Sequence, residues 1–215
     1  MIRILIADDH PIVRSGYRRL FESTGLHEVV AEACNGEEAV NLFKEFLPDL
    51  VVIDVMMPGI GIASSIHRII NHRENACILV ASLYDHQSLV ERCFKAGASG
   101  YVTKSSSGVI LMQALGEVAK GKRFISPDIA EKIALSQLGP QKISALSALT
   151  SKEFDVFLRL TRGQSIGEIS NEMHLSKKTV SNYSSKIKKR LNVTTTAELV
   201  HLALQEKLLD MTVSN

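Results

Sequence analysis

Ile2-Arg3-Ile4-Leu5-Ile6-Ala7 runs straight into Asp8-Asp9, and Leu50-Val51-Val52-Ile53 runs straight into Asp54. A short apolar run that stops on an acid reads as a strand buried on both faces, with its carboxyl end opening on a polar edge. Three more such runs follow the same logic: Val29–Cys34, Ile78–Ser82 and Gly100–Thr103. Amphipathic stretches near 12–23, 36–46, 62–71, 86–96 and 107–120 alternate with them. Five βα units of this kind predict an α/β doubly wound, five-stranded parallel sheet covered by helices on both faces.

In an open parallel sheet, ligands bind beyond the carboxyl ends of the strands. There the sequence places Asp8 and Asp9 after the first strand, Asp54 after the third, Ser82 at the end of the fourth and Lys104 after the fifth. Taken singly, each is an ordinary turn residue. Taken together, three crowded carboxylates repel and resist ionisation without a cation. Hard oxygen donors with room left for water and a phosphoryl group fit Mg²⁺. Lys104 is suited to a phosphoryl oxygen as a point charge, and the Ser82 hydroxyl can donate to another. A carboxylate beside Mg²⁺ can accept a phosphoryl group as an acyl phosphate. His10 follows the acidic pair and is read as having no catalytic part.

Composition sets the outer bounds. The 215 residues are 45% hydrophobic, contain no Trp, and are only 5% aromatic, so aliphatic side chains must fill the cores. Cys34, Cys77 and Cys93 form no CxxC and have no close His partner, and are read as buried free thiols of a reducing compartment. No apolar run is long enough for a membrane helix, and Asp8 and Asp9 interrupt the N-terminus where a signal peptide would need an apolar stretch. The expectation is a cytoplasmic protein with no membrane partner. Residues 1–124 hold 13 Lys/Arg against 14 Asp/Glu, net −1, whereas residues 150–215 hold 10 against 7, net +3.

Residues 122–146 read as a linker carrying one helix, with Ser126 capping it, Pro127 at its first position and Gly139-Pro140 stopping it. From residue 147 to 215 the pattern is all helical, with helices near 151–162, 166–173, 177–191 and 196–209. The corner Met173-His174-Leu175-Ser176 is short enough for a helix-turn-helix. On a wheel of the third of these helices, Val180, Ser184, Ile187 and Leu191 fall within about 60° of each other as a core stripe. Lys178, Asn182, Ser185 and Lys189 lie opposite, with Ser181 at their flank. Cations for phosphates beside short hydrogen-bonding side chains for base edges are what a groove-reading helix needs. Ile166, Ile169 and Met173 would brace that helix. On the last helix, Leu199, Leu202, Ala203 and Leu208 could pack on the domain or pair two copies.

These residues carry two resemblances. Ile4–Asp9, Asp54 with Met57-Pro58-Gly59, Ser82, and Gly97-Ala98-Ser99-Gly100-Tyr101 leading to Lys104 resemble the receiver domain of two-component response regulators. The resemblance implies a flavodoxin-like domain over residues 1–121, with Asp54 as phospho-acceptor. Asp8, Asp9, Asp54 and the Met56 carbonyl would hold Mg²⁺, and Ser82 and Tyr101 would be a switch pair whose ring moves inward. Ile60-Gly61-Ile62-Ala63 and Ser105 depart from many receivers, which place an acid and a glycine after Pro-Gly and a proline after the lysine.

The second match runs from Leu149-Thr150-Ser151-Lys152-Glu153 through Gly163–Ser170 to Leu175–Val180 and Lys189–Val193. It resembles the LuxR/FixJ (NarL) type of helix-turn-helix. Thr179-Val180 followed by Tyr183, with the run Ser126–Gln137, is similar to the GacA/UvrY branch. This resemblance implies a transcription regulator rather than an enzyme: a sensor histidine kinase as phosphodonor, double-stranded DNA as target, and a homodimer when phosphorylated. The DNA-contacting set would be Lys177, Lys178, Thr179, Ser181, Asn182, Ser185, Lys186 and Lys189. Two other readings compete: an aspartyl-phosphate hydrolase on a similar sheet, which leaves the basic helix without a purpose, and a phosphorylation-independent DNA binder.

Overall fold

The structure is a computed structural model that describes residues 1–138, 144–206, 208 and 209. The chain divides into two compact units, Met1–Gly139 and Pro140–Asn215. The first unit is a sheet of order β2-β1-β3-β4-β5-β6. Its strands are β1 (Ile2–Ala7), β2 (His27–Ala33), β3 (Leu50–Ile53), β4 (Cys77–Ser82), β5 (Gly100–Thr103) and β6 (Phe124–Ile125), and every pairing is parallel. The helices are α1 (Pro11–Glu22), α2 (Gly36–Phe46), α3 (Ile62–His72), α4 (Gln87–Ala96), α5 (Gly108–Ala119) and α6 (Pro127–Leu138).

Alternate residues of each strand point to opposite faces. Ile4, Ile6, Val52, Leu79 and Val102 pack with Phe21 of α1 and with Leu111, Ala114, Leu115 and Val118 of α5. Leu5, Val51, Ile53, Ile78 and Val80 are equally buried. The helices α2, α3 and α4, each beside the next, carry their own buried residues Phe43, Ile66, Ile69 and Leu89. Local chemistry sets the helix ends. The Asn35 side chain accepts from the Glu38 N–H at 2.8 Å to start α2. Gly97, at φ +113°, ends α4 in the left-handed region, where a Cβ would be strained and would meet Ile70 at 3.0 Å.

Three features of this unit differ from the sequence reading. The sheet has a sixth strand: Phe124–Ile125 pairs with Gly100 and Tyr101 of β5. Two residues are too few to show an alternating pattern, so only the tertiary pairing reveals it. Ser126 starts α6 through its carbonyl, which accepts from Ile129 and Ala130 N–H, while its hydroxyl is buried. Gly139-Pro140, expected to stop this helix, lies outside the described residues. The cysteines also need correction. All three are free, but only Cys93 is buried; Cys77 is half-buried and Cys34 is exposed. The strand β2 ends at Ala33 on the edge of the sheet, so Cys34 falls in the loop beyond it.

Among its described residues, the second unit holds a 3₁₀ turn (Ala145–Ala148) and four helices: α7 (Ser151–Thr161), α8 (Ile166–Glu172), α9 (Lys177–Arg190) and α10 (Thr196–Gln205). Three helix starts are capping boxes, Thr150/Glu153, Ser165/Glu168 and Thr195/Glu198, and Ser176 caps α9. Such caps are worth about 1 kcal/mol each. The core is Leu146, Leu149, Phe154, Phe157, Ile169, Val180, Ile187, Leu199 and Ala203. The last helix stops four residues short of the expected 209, and Leu208 is buried beyond its end. Among the described residues, no helix is long and apolar enough to cross a membrane.

Candidate functional site

Strand register builds the acidic pocket. Ala7 pairs with Ile53, so Asp8 and Asp54 leave adjacent strands side by side, and the Asp54 N–H donates to the Ala7 carbonyl at 2.8 Å. Ser82 pairs with Thr103, which puts Lys104 at the same edge. Lys104 Nζ then lies 2.6 Å from Asp8 Oδ2 and 2.9 Å from Asp54 Oδ2. Its side chain is only 8% exposed. The lysine is therefore pinned between two buried acids. Asp54 Oδ1 accepts from the Val55 N–H at 2.7 Å, and Asp8 Oδ1 accepts from the His10 N–H at 2.9 Å. From α1, Arg14 donates to the Asp8 carbonyl at 2.7 Å and fixes the strand end from behind.

The charges do not balance within this cluster. Asp8, Asp9 and Asp54 face one ammonium. Burial pushes the Asp54 carboxyl above its usual range, Lys104 opposes the shift and Asp8 adds to it. Burial would lower the Lys104 ammonium, but Asp54 and Asp8 outweigh it and hold it above its ordinary value. Burial likewise raises the Tyr17 phenol on α1, and the fields of Asp8 and Asp54 raise it further. Donor atoms of Asp8, Asp9, His10 and Asp54 all lie within 4.8 Å of one another. A hard divalent cation fits this donor set and the excess negative charge.

Beside the pocket, Ser82 is fully buried and its hydroxyl accepts from the Tyr84 N–H at 3.1 Å. The Tyr101 ring is fully buried, and its hydroxyl donates to the Tyr84 carbonyl at 2.7 Å. The ring is thus in the inward position. Met56 is half-buried on the loop after β3. Glu37 of α2 holds that loop, accepting from the Ile60 N–H at 3.0 Å. Its carboxylate occupies the space where a Cβ on Gly59 would stand, and Gly59 has φ +90°. After Lys104, Ser105 donates to the Thr103 hydroxyl at 3.1 Å, so side-chain hydroxyls shape the turn that lacks a proline.

In the second unit, Ser170 Oγ donates to the Leu175 carbonyl at 2.7 Å and His174 sits at φ 52°, which closes the corner between α8 and α9. On α9, Val180 and Ile187 are buried and Ser184 is half-buried, and Leu191, which caps its end, is buried too. Lys177, Lys178, Ser181, Asn182, Ser185, Lys186 and Lys189 are exposed together. Thr179 is different: half-buried, with its hydroxyl 2.8 Å from the Ser176 hydroxyl, it is part of the helix cap. Arg190, though exposed, donates to the Ala148 carbonyl at 3.1 Å and pairs with Glu153 at 3.2 Å.

Residues 4–116 match the family model of the response regulator receiver domain, and residues 147–203 match that of the bacterial regulatory proteins of the luxR family. This chain is a LuxR-family response regulator. It is 36% identical to the response regulator UvrY of Escherichia coli K12 over 209 residues, which span 97% of this chain and 96% of UvrY. It is 33% identical to the response regulator GacA of Pseudomonas aeruginosa over 211 residues, 98% of this chain and 99% of GacA. Among solved structures, a LuxR-family regulator from Aurantimonas sp. SI85-9A1 is 43% identical, with a TM-score of 0.62 over 65% of this chain and 99% of that one. RcsB of Salmonella enterica serovar Typhimurium, bound to promoter rprA in the presence of phosphomimetic BeF3-, is 25% identical, with a TM-score of 0.71 over 94% of this chain and 98% of that one.

The fold of this response regulator brings Asp8, Asp9, Asp54, Ser82 and Lys104 to one sheet edge, with Tyr101 hydrogen-bonded to the Tyr84 carbonyl. Sequence reasoning missed two contributors. His10 Nδ1 lies 2.8 Å from Asp9 Oδ1 and 3.2 Å from Asp8 Oδ1. Its adjacency to the acidic pair was the available signal. Glu37 gave no signal, because its partner loop lies 23 residues on.

Proposed function

We propose that Asp54 accepts a phosphoryl group from a sensor histidine kinase, and that this event controls sequence-specific binding of double-stranded DNA by α9. The observation that carries this reading is Lys104 Nζ bridging the buried carboxylates of Asp8 and Asp54 at 2.6 and 2.9 Å. The domains would be a receiver over 1–121, a linker over 122–146 and a DNA-binding domain over 147–215. Mg²⁺, held by Asp8, Asp9, Asp54 and the Met56 carbonyl, would supply charge shielding for the incoming group. An Asp54 carboxylate oxygen attacks the phosphorus of a phosphohistidine; the P–O bond forms, the P–N bond breaks, and the departing imidazole takes up a proton. Lys104 and the Ser82 hydroxyl bind phosphoryl oxygens, with Tyr101 held inward behind them. Lys177, Lys178, Lys186 and Lys189 contact DNA phosphates, while Ser181, Asn182 and Ser185 face base edges. RcsB bound to a promoter with a phosphomimetic supports the pairing of these two events. The protein would act in the cytoplasm as a homodimer when phosphorylated, as a regulator and not a turnover catalyst.

The test is intact mass after incubation with Mg²⁺ and acetyl phosphate. Wild type gains one phosphate and Asp54→Asn gains none, because an amide is no nucleophile here. Continuous release of free phosphate would point to a hydrolase, and a wild-type yield of adduct in the variant would remove Asp54 from this role.

A further inference from the structure

We infer that Asp128, in the first turn of α6, is a positioning residue for Lys104: through the Thr103 hydroxyl it shapes the turn that carries the lysine, and so it ties α6 to the phosphoryl pocket. This rests on the phosphorylation reading given above and adds a residue to it. Thr103 is buried at the end of β5. Its hydroxyl lies 3.0 Å from Asp128 Oδ2, 3.1 Å from the Ser105 hydroxyl and 2.9 Å from the Ser106 hydroxyl. Three polar side chains meet on one oxygen atom.

A hydroxyl has one proton to give and two lone pairs to offer. Burial would raise the Asp128 carboxyl, but hydrogen bonds from Ser126 and Thr103 outweigh it and hold it below its usual range. Asp128 is therefore ionised at neutral pH and can only accept. The Thr103 proton goes to Asp128, which leaves its two lone pairs for Ser105 and Ser106. Without the carboxylate, the Thr103 proton turns onto one of the serines, the order of donors reverses, and the cluster loses its anchor on α6.

The backbone carries the effect to Lys104. The Ser106 N–H donates to the Thr103 carbonyl at 3.0 Å, and the Lys104 N–H donates to the Ser82 carbonyl at 2.7 Å. Lys104 is thus the second residue of a 103–106 turn. Ser105 follows it in place of a proline, so hydroxyl bonds and not a ring set the shape of that turn. From there Nζ reaches Asp8 at 2.6 Å and Asp54 at 2.9 Å. The rest of α6 grips the segment after Ser82: Lys132 pairs with Asp85, and Ser136 donates to Gln87 at 2.7 Å. One helix, at the end of the first unit, holds both segments that supply phosphoryl contacts.

The test uses the full chain with Mg²⁺ and BeF₃⁻ as the phosphoryl analogue, with binding followed by fluorine resonance. Thr103→Val keeps the shape of the side chain and leaves α6 its first-turn acid, whereas Asp128→Ala also removes charge from a helix N-terminus. Each should weaken BeF₃⁻ binding about tenfold, and the double variant should be no weaker than either alone. Asp128→Asn still accepts but without charge, so it should lose only about threefold. Coupling is reciprocal, so BeF₃⁻ should slow amide exchange in α6 of the wild type by the same factor of about ten. In Thr103→Val the exchange of α6 should not respond. Unchanged BeF₃⁻ affinity in Thr103→Val, losses that multiply in the double variant, or wild-type α6 exchange indifferent to BeF₃⁻ overturns the inference and leaves Asp54 as phospho-acceptor. A wild type that takes up no BeF₃⁻, or takes it up equally after Asp54→Asn, removes the phosphorylation reading and the role of Asp128 with it.

Discussion

Asp54 carries its carboxyl in a place that resists charge. Burial raises its pKa, and Lys104 only partly offsets that. The raised value means that the folded chain holds a proton on Asp54 in a pH window where the unfolded chain does not. Ionisation above that window costs stability, and below the unfolded pKa the cost vanishes. Asp54→Asn should therefore raise the urea midpoint of the EDTA-treated protein at neutral pH. The gain should shrink as pH falls through the raised pKa toward the ordinary aspartate range. A lower midpoint at neutral pH would show that the ion pair with Lys104 outweighs burial. On α9 the residue roles separate by reach. Lys189 is long and carries a point charge, while Asn182 is short and lies in the middle of the exposed face. Lys189→Ala should weaken operator and random duplex alike and lower the salt slope by roughly one unit. Asn182→Ala should cost about 1–3 kcal/mol at one base pair of each half-site. Uniform weakening by Asn182→Ala across single-base variants would show that the roles are reversed. Both exposed sets were legible in the sequence, because a helical wheel needs only spacing. The pairing of Arg190 with Glu153 was not, because its partner lies on another helix.

The element that most exceeds its sequence signal is α6. Its existence was legible in Pro127, Asp128 and the apolar spacing that follows, but its partners were not. The Thr103 hydroxyl donates to Asp128 at 3.0 Å, Lys132 pairs with Asp85, and Ser136 donates to Gln87 at 2.7 Å. Ile129 is fully buried. Polar residues on a helix surface carry no periodic signal, and these partners lie 25 to 49 residues away. The contacts matter because of what they touch. Thr103 precedes Lys104, and Asp85 follows Tyr84, whose carbonyl receives the Tyr101 hydroxyl. One exposed ion pair and one hydrogen bond together are worth about 1–2 kcal/mol. Lys132→Ala with Ser136→Ala should accordingly speed amide exchange in α6 about tenfold and leave β1 and β3 unchanged. Exchange in α6 equal to wild type would mean that Ile129 and Asp128 hold the helix unaided.

At the scale of the whole chain, the net charge is unevenly placed, and each unit closes a core of its own. A fragment beginning at residue 140 keeps Leu146, Leu149, Phe154, Phe157, Val180, Ile187 and Leu199, all buried. It also keeps the exposed cations of α9, so it should fold and bind DNA with no phosphorylation. The full chain offers a sharper comparison. If the unphosphorylated receiver limits the fraction of chains competent for DNA, apparent affinity falls by that fraction. The number of phosphates contacted by each bound molecule does not change. The salt slope counts those contacts and not the competent fraction. On a half-site duplex, where pairing of two copies does not enter, three species should be measured across a salt series: the fragment, the phosphorylated chain and the unphosphorylated chain. The expected result is three parallel lines of log affinity against log salt, with the unphosphorylated chain lowest. A shallower line for the unphosphorylated chain would mean that phosphorylation adds phosphate contacts. A fragment weaker than the unphosphorylated chain would mean that the receiver assists binding and does not restrain it.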